Sequence, residues 1–188
     1  ILDPAVRGRG LGRALMDAAL THLSAAGVRT VRLNAYMNVV AFYEKLGFRP
    51  EYDVVRWHRR PRPGSAEPEH ILTRWSASAL AAFDATLFGA PRSRLLTRLA
   101  NEFSDTFFVA GSNEGILGYL VGSPYNGQCE IGPWVVAPGH PEVAQGLFGA
   151  LVNQAGAREY SFSGPQPNGD LVGFARDMGF TEVFRTRR

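Results

Sequence analysis

Asp3-Pro4-Ala5-Val6-Arg7-Gly8-Arg9-Gly10-Leu11-Gly12-Arg13 is the stretch on which the reading of the fold depends. Three glycines at every second position let the backbone turn tightly and let a ligand approach the main chain. The apolar residues that follow, Leu11, Leu15, Ala19, Leu20 and Leu23, recur at helical spacing over 11–26, and Gly27 is a natural stop. A glycine-rich turn that opens a helix gathers backbone N–H groups beside the positive end of the helix dipole, which suits a phosphate or pyrophosphate. The spacing G-x-G-x-G is neither the dinucleotide fingerprint nor the P-loop. Taken alone, the loop therefore reads equally as an anion cradle or as a turn that binds nothing.

Working outward, 28–36 alternates with Val31, Leu33 and Ala35 on one side and is expected to be a strand. Asn38 is expected to cap a short helix through residue 46, and Gly47 ends it. Residues 48–57 return as a strand. The run HRRPRPGSAEPEH at 58–70 has prolines at 61, 63 and 68 and reads as a linker. Beyond it the pattern predicts helices over 76–88 and 91–102, and strands over 106–110, 116–122 and 128–136. A helix from Pro141 to about residue 154, a strand over 158–162, a helix over 168–178 and a strand from 180 complete the chain. Both halves end helix, strand, helix, Gly-Phe, strand. The chain reads as two copies of one α/β architecture with a mixed sheet. Its domains are 1–57 and 71–188, and the first copy is shortened at its start.

Composition narrows the class. The 188 residues are 45% hydrophobic and 20% charged, ordinary globular usage that argues against disorder. No apolar run approaches the roughly 20 residues of a membrane helix. Cys129 is the single cysteine, so neither an internal disulfide nor a multi-cysteine metal site is available, and a reducing cytoplasm is the default compartment. The net charge of +3 is uneven: residues 1–70 carry +4 and the remainder −1, which directs the search for an anionic ligand to the N-terminal end. Arg56, Arg59, Arg60 and Arg62 lack an aromatic stacking platform, so a solvated linker is preferred over a nucleic-acid site. His22, His58, His70 and His140 show no metal-ligand spacing.

A second landmark gives the glycine loop its context. Ala41-Phe42-Tyr43-Glu44-Lys45-Leu46-Gly47-Phe48, at this distance after Arg7–Arg13, resembles the FYEKLGF element of the GCN5-related N-acetyltransferase (GNAT) superfamily, whose acetyl-CoA loop R-x-x-G-x-G/A the first stretch also resembles. The resemblance covers residues 1–57. It implies an acyl-CoA N-acyltransferase fold, with the CoA pyrophosphate held by Leu2, Arg7, Gly8, Arg9, Gly10, Leu11, Gly12 and Arg13. It further implies that Tyr43 protonates the departing thiolate. The family's frequent asparagine seven residues before that tyrosine is Tyr36 here, and Asn38 lies only five before it. The family's base-bearing strand precedes the loop, and only Ile1 and Leu2 stand there. The chain is therefore expected to be a fragment or processed product without the base of this copy.

The second half resembles the same superfamily through Phe107-Phe108-Val109-Ala110, Gly118-Tyr119-Leu120-Val121-Gly122 and Met178-Gly179-Phe180. Its loop, Gly139-His140-Pro141-Glu142-Val143-Ala144-Gln145-Gly146, replaces a donor by proline and adds a carboxylate, so no ordinary CoA site is expected there. Glu130 stands where a base would stand but reads better as an ion-paired or solvated carboxylate, Cys129 as a buried small residue, and Trp75 and Trp134 as core. The resemblance implies an acetyltransferase with acetyl-CoA as co-substrate, no metal, and a small-molecule or peptide amine as partner, with homo-oligomers allowed and no membrane. The alternative is a noncatalytic module of the same fold, used for ligand sensing or protein interaction.

Overall fold

In the computed structural model, which describes residues 2–62, 71–72 and 74–188, the chain forms two compact units. Unit 1 is Ile1–Val54 with Arg185–Arg188, and unit 2 is Val55–Phe184. Unit 1 is thus completed by the last four residues of the chain, whereas unit 2 is one continuous segment.

Unit 1 opens with a 3-10 turn at Pro4–Val6, where the Asp3 side chain accepts from the Ala5 N–H at 2.8 Å. Helix α1 follows at Leu11–Ala25, strand β1 at Ala35–Tyr36, a 3-10 turn at Met37–Val39 and helix α2 at Val40–Glu44. The C-terminal residues return to this unit. Ala35 and Tyr36 pair antiparallel with Arg187 and Thr186. The Arg188 N–H donates to the Tyr52 carbonyl at 2.8 Å, and the Arg188 carbonyl accepts from the Glu51 N–H at 2.6 Å.

Three expectations are corrected here. The strand expected over 28–36 is confined to Ala35–Tyr36, because a strand needs a ladder and only these two residues are matched by Arg187 and Thr186. Asn38 does not cap α2; it lies inside a 3-10 turn, and Val39 is the cap, with no side-chain bond. The apolar face of α1 is also turned from the one expected. Gly12, Met16, Leu20 and Leu23 are half-buried, whereas Leu11 and Leu15 remain 43% and 61% exposed.

Unit 2 contains most of β2 (Asp53–Arg59), then α3 (Ala77–Phe88), α4 (Ser93–Glu102), β3 (Phe107–Ser112), β4 (Gly115–Tyr125), β5 (Gln128–Val136), α5 (Pro141–Ala155), β6 (Glu159–Pro165), α6 (Gly169–Asp177) and most of β7 (Thr181–Arg187). Its sheet runs β7-β2-β6-β5-β4-β3; β3, β4 and β5 are joined antiparallel, and β5 and β6 are parallel. The order is that of a mixed sheet. Local chemistry sets the helix ends. Ser76 and Asn168 accept from the N–H groups of Ala79 and Leu171, both at 3.1 Å, and Gly89 ends α3 in the left-handed conformation.

The segment expected as a linker from 58 begins later, because β2 continues through Arg59. Val55, Trp57 and Arg59 alternate onto the buried face, and the Arg59 guanidinium stands 5.2 Å from the centre of the Phe148 ring. Residues 63–70 of that expected linker lie outside the described residues.

One face of the sheet carries α5 and α6 over a core that includes Leu120, Cys129, Ile131, Leu147, Leu151 and Phe180. The other carries α3 and α4 over Leu80, Leu96, Phe107, Val109, Tyr119 and Val121. Beneath the α3–α4 hairpin lies Asp84, fully buried, which accepts from Arg92 Nε at 2.9 Å and from the Tyr119 hydroxyl at 2.6 Å. Burial pushes the Asp84 carboxyl up, but the hydrogen bonds from Arg92 and Tyr119 outweigh it and the net shift is down. Burial and the bond to Asp84 push the Tyr119 phenol well above its ordinary value.

Candidate functional site

Two elements of unit 1 meet at the start of α1. Gly8 and Gly10 have φ of 76° and 78°, the left-handed region that glycine enters without steric cost. A side chain added at either would meet nothing within 4 Å, so the loop is open on its outer side. Gly10 is the N-cap of α1 and supplies no side-chain bond, and no acidic residue lies in the first turn. The first N–H groups of a helix have no intrahelical partner. Those of Leu11, Gly12 and Arg13 therefore present an uncapped, positively polarised end.

Arg7 is fixed beside this end by its Nε bond to the Leu2 carbonyl at 3.1 Å. Arg9 is exposed, and Arg13 faces Asp17 across one helical turn at 3.6 Å. A Cβ at Gly12 would sit 3.4 Å from Leu2 Cδ1 and 3.6 Å from Phe42 Cζ. The glycine therefore permits close contact between α1 and the residue that precedes Tyr43. Tyr43 is half-buried, its ring set edge-on to Phe42 at 5.1 Å and to Phe48 at 5.8 Å. The structure thus links the loop and the aromatic helix through Gly12 and Phe42. Tyr36, by contrast, is 61% exposed on β1.

Tyr43 also lines a cavity of about 330 Å³ within unit 1, whose apolar wall includes Leu20, Val31, Leu33 and Val40 and whose charged wall includes Arg32, Glu44, Glu51 and Arg188. Periodicity alone did not reveal this cavity. Its walls come from α1, the 30–35 segment, α2, the 46–51 segment and the C-terminal residues, five regions that no local pattern brings together.

The equivalent region of unit 2 is built differently. Pro141 starts α5 without an N–H donor, and Glu142 in its first turn lies 3.0 Å from His140 Nδ1. A carboxylate therefore occupies the end that an anion would use. Strands β5 and β6 are paired only from Gln128↔Glu159 to Glu130↔Ser161, although both run several residues further. The fork beyond that point contains Trp134, whose ring lies 5.5 Å from Phe162, 4.8 Å from Phe174 and 6.0 Å from Phe148.

Glu130 is held by both Nη groups of Arg56 and by the Ser161 hydroxyl at 2.9 Å. It is the ion-paired carboxylate its position suggested. Cys129 is fully buried, and burial pushes its thiol up to about 11, which keeps it protonated and unreactive at neutral pH. Trp75 stacks on Phe107 at 5.5 Å, a core contact. Among the described residues no cluster of three His, Cys, Asp or Glu side chains could hold a metal, and no helix is long and apolar enough to cross a membrane.

Comparison with known proteins assigns both segments. Profiles described as an acetyltransferase (GNAT) domain match residues 1–56 and, separately, residues 80–188. Serotonin N-acetyltransferase 2, chloroplastic, of Oryza sativa subsp. japonica is 39% identical over 56 residues, 30% of this chain and 28% of that protein. Mycothiol acetyltransferase of Geodermatophilus obscurus is 41% identical over 61 residues, 31% of this chain and 20% of that protein. The matched segment thus spans less than a third of either relative. Among solved structures, a GCN5-related N-acetyltransferase from Sphaerobacter thermophilus superposes with a TM-score of 0.66 at 19% identity, over 98% of this chain and 68% of that one. A tandem GNAT protein from the clavulanic acid biosynthesis pathway superposes with a TM-score of 0.59 at 17% identity, over 100% and 71%. At these identities the superpositions speak to fold.

Proposed function

The chain belongs to the acetyltransferase (GNAT) family, and from that premise we propose that unit 1 carries the cofactor site of an N-acetyltransferase acting on an amine. The observation that carries this reading is the uncapped end of α1, open at Gly8 and Gly10 and joined through Gly12 to the helix of Tyr43. The residues fit the cofactor. The N–H groups of Leu11, Gly12 and Arg13, with Arg7 and Arg9 beside them, would hold a pyrophosphate.

Bound acetyl-CoA supplies the acetyl group as a thioester. The part of this chain in the reaction is to fix the phosphates at the loop and to set the Tyr43 phenol beside the leaving sulfur. The amine nitrogen forms the new C–N bond as the C–S bond breaks. The phenol proton would pass to sulfur, the proton lost by the amine nitrogen would go to solvent, and the phenol would regain a proton from solvent. The half-burial of Tyr43 between Phe42 and Phe48 limits its rotation, which is what a positioned proton donor requires.

Unit 2 supports a noncatalytic role, as a sensing or interaction module of the same fold. Glu142 occupies the end of α5, Trp134 fills the fork, and Arg56 neutralises Glu130.

Calorimetry on the full-length protein tests both statements at once. CoA is expected to bind once per chain, and Gly10→Glu, which places a carboxylate in the cradle, is expected to weaken binding by at least about tenfold. Thiol release with a panel of amines should fall with it. Unchanged affinity in the variant would remove the assignment to the loop, and a stoichiometry of two would show that unit 2 keeps a CoA site despite Pro141 and Glu142.

A further inference from the structure

The cavity beside Tyr43 carries more positive charge than its own carboxylates neutralise. Its wall includes Arg32, Arg49, Arg187 and Arg188 against Glu44 and Glu51. Arg187 is committed to Asp53, with Nε 2.6 Å from Oδ1. Arg32 engages Glu51 through Nε alone, at 3.2 Å. Arg188 Nε lies 3.8 Å from the same carboxylate, buried and without a hydrogen bond. A guanidinium has five N–H donors in a fixed fork. Glu51 therefore orients Arg32 and Arg188 without saturating them.

We infer that this cavity recognises the carboxylate or phosphate group of an anionic amine acceptor, with Arg32, Arg49 and Arg188 as the recognition residues. The inference rests on the acetyltransferase reading given above. Two arguments assign the anion to the acceptor rather than to the cofactor. The α1 residue lining the cavity is Leu20, nine positions beyond Leu11 and so about 14 Å along the helix from the phosphate cradle. Tyr43, proposed above as the proton donor, is itself part of the wall, so a molecule seated here lies beside that residue. A volume of about 330 Å³ suits a small amine of amino-acid to dipeptide size. The apolar side, Leu20, Val31, Leu33 and Val40, takes the carbon body while the arginines take the charge.

The test uses the full-length protein labelled at the arginine Nε–Hε groups and two matched pairs of probes: β-alanine with β-alaninamide, and O-phosphoethanolamine with ethanolamine. The Nε signals of Arg32 and Arg188 are expected to shift with the anionic member of a pair and not with the neutral one. The double variant Arg49→Gln, Arg188→Gln is expected to weaken that response by roughly tenfold or more, as loss of charged hydrogen bonds should. Absence of a response to both anionic probes overturns the inference, as does an equal response to charged and neutral members. A shift produced by CoA but not by 3′-dephospho-CoA also overturns it, because the anion would then be the cofactor's own phosphate. In thiol-release assays the same double variant should raise KM for the anionic amine and leave KM for acetyl-CoA within about twofold. The arginine signals are read without turnover. Failure of the cofactor reading, seen as Gly10→Glu leaving CoA affinity intact, is therefore distinguishable from failure of this one.

Discussion

Unit 1 carries the two motifs by which the family is recognised, yet among its described residues only Ala35 is buried. Leu11, Leu15, Val28, Tyr36, Met37 and Val39 are all exposed there. Unit 2 has the less regular motifs and encloses all of the other buried side chains, with helices on both faces of its sheet. The loop and the aromatic helix of unit 1 are specified by local backbone conformation and one close contact at Gly12, so they stay legible without a deep core. Unit 2 has an aromatic cluster and an ion pair where a cofactor and a base would be expected, and its residues are selected by packing. The comparison teaches that recognisable chemistry and enclosed structure are separable properties of one fold.

The largest expected effect lies in unit 2. Asp84→Ala should destabilise it by about 3–5 kcal/mol, because the buried Tyr119 hydroxyl and the half-buried Arg92 guanidinium would be left beside no carboxylate. Denaturant titration of the full chain, followed by the fluorescence of Trp57, Trp75 and Trp134, all in unit 2, measures this. A loss below about 1 kcal/mol, the range of an exposed pair, would show that water reaches the site. The pH dependence has a defined sign. The folded-state pKa of Asp84 is depressed, so its contribution is present above the ordinary carboxylate value of about 4 and is lost as pH falls through the lower folded value. Asp84→Asn should flatten that acid limb.

Next in size is a matched pair of leucines. Leu147→Ala in α5 should cost about 2–5 kcal/mol, since Leu147 is fully buried and would leave a cavity. Leu15→Ala in α1 should change stability by no more than about 0.5 kcal/mol. Equal effects in one denaturation series would break the contrast between the units.

A pair of glycines sharpens it further. A Cβ at Gly122 would fall 2.4 Å from Leu151 Cδ1 and 3.1 Å from Cys129 Sγ, so Gly122→Ala should cost about 1–3 kcal/mol through overpacking. At Gly8, with open space and φ of 76°, alanine should cost only the conformational penalty, about 1–2 kcal/mol. CoA affinity should respond to the second substitution and not to the first.

The smallest effect leaves stability untouched. Cys129 should react with an alkylating reagent at neutral pH only as fast as unit 2 opens, its thiol being buried and raised to about 11. Alkylation at the rate of a free thiol would show that the face under α5 is open.

Much of the fold was legible because it is local. The helix starts near 76 and 168, the proline that opens α5 and the strand over Gln128–Val136 depend on neighbours in sequence and stand where their residue types put them. The same holds for the glycine loop, whose left-handed φ values only glycine adopts freely. Tertiary structure decided what depends on a distant partner. Residues 28–34 alternate like a strand but lack a ladder, and β1 is limited to the two residues that Thr186 and Arg187 can match. Arg59, read as part of a linker, is buried because β2 sits between β7 and β6 and needs its third inward residue there. Arg56 meets Glu130 across 74 positions of sequence, and the cavity beside Tyr43 takes a wall from the last two residues of the chain. Sequence periodicity states which face of an element is apolar. Which other element covers that face, and which charges are thereby brought together, is settled only when the whole chain has packed.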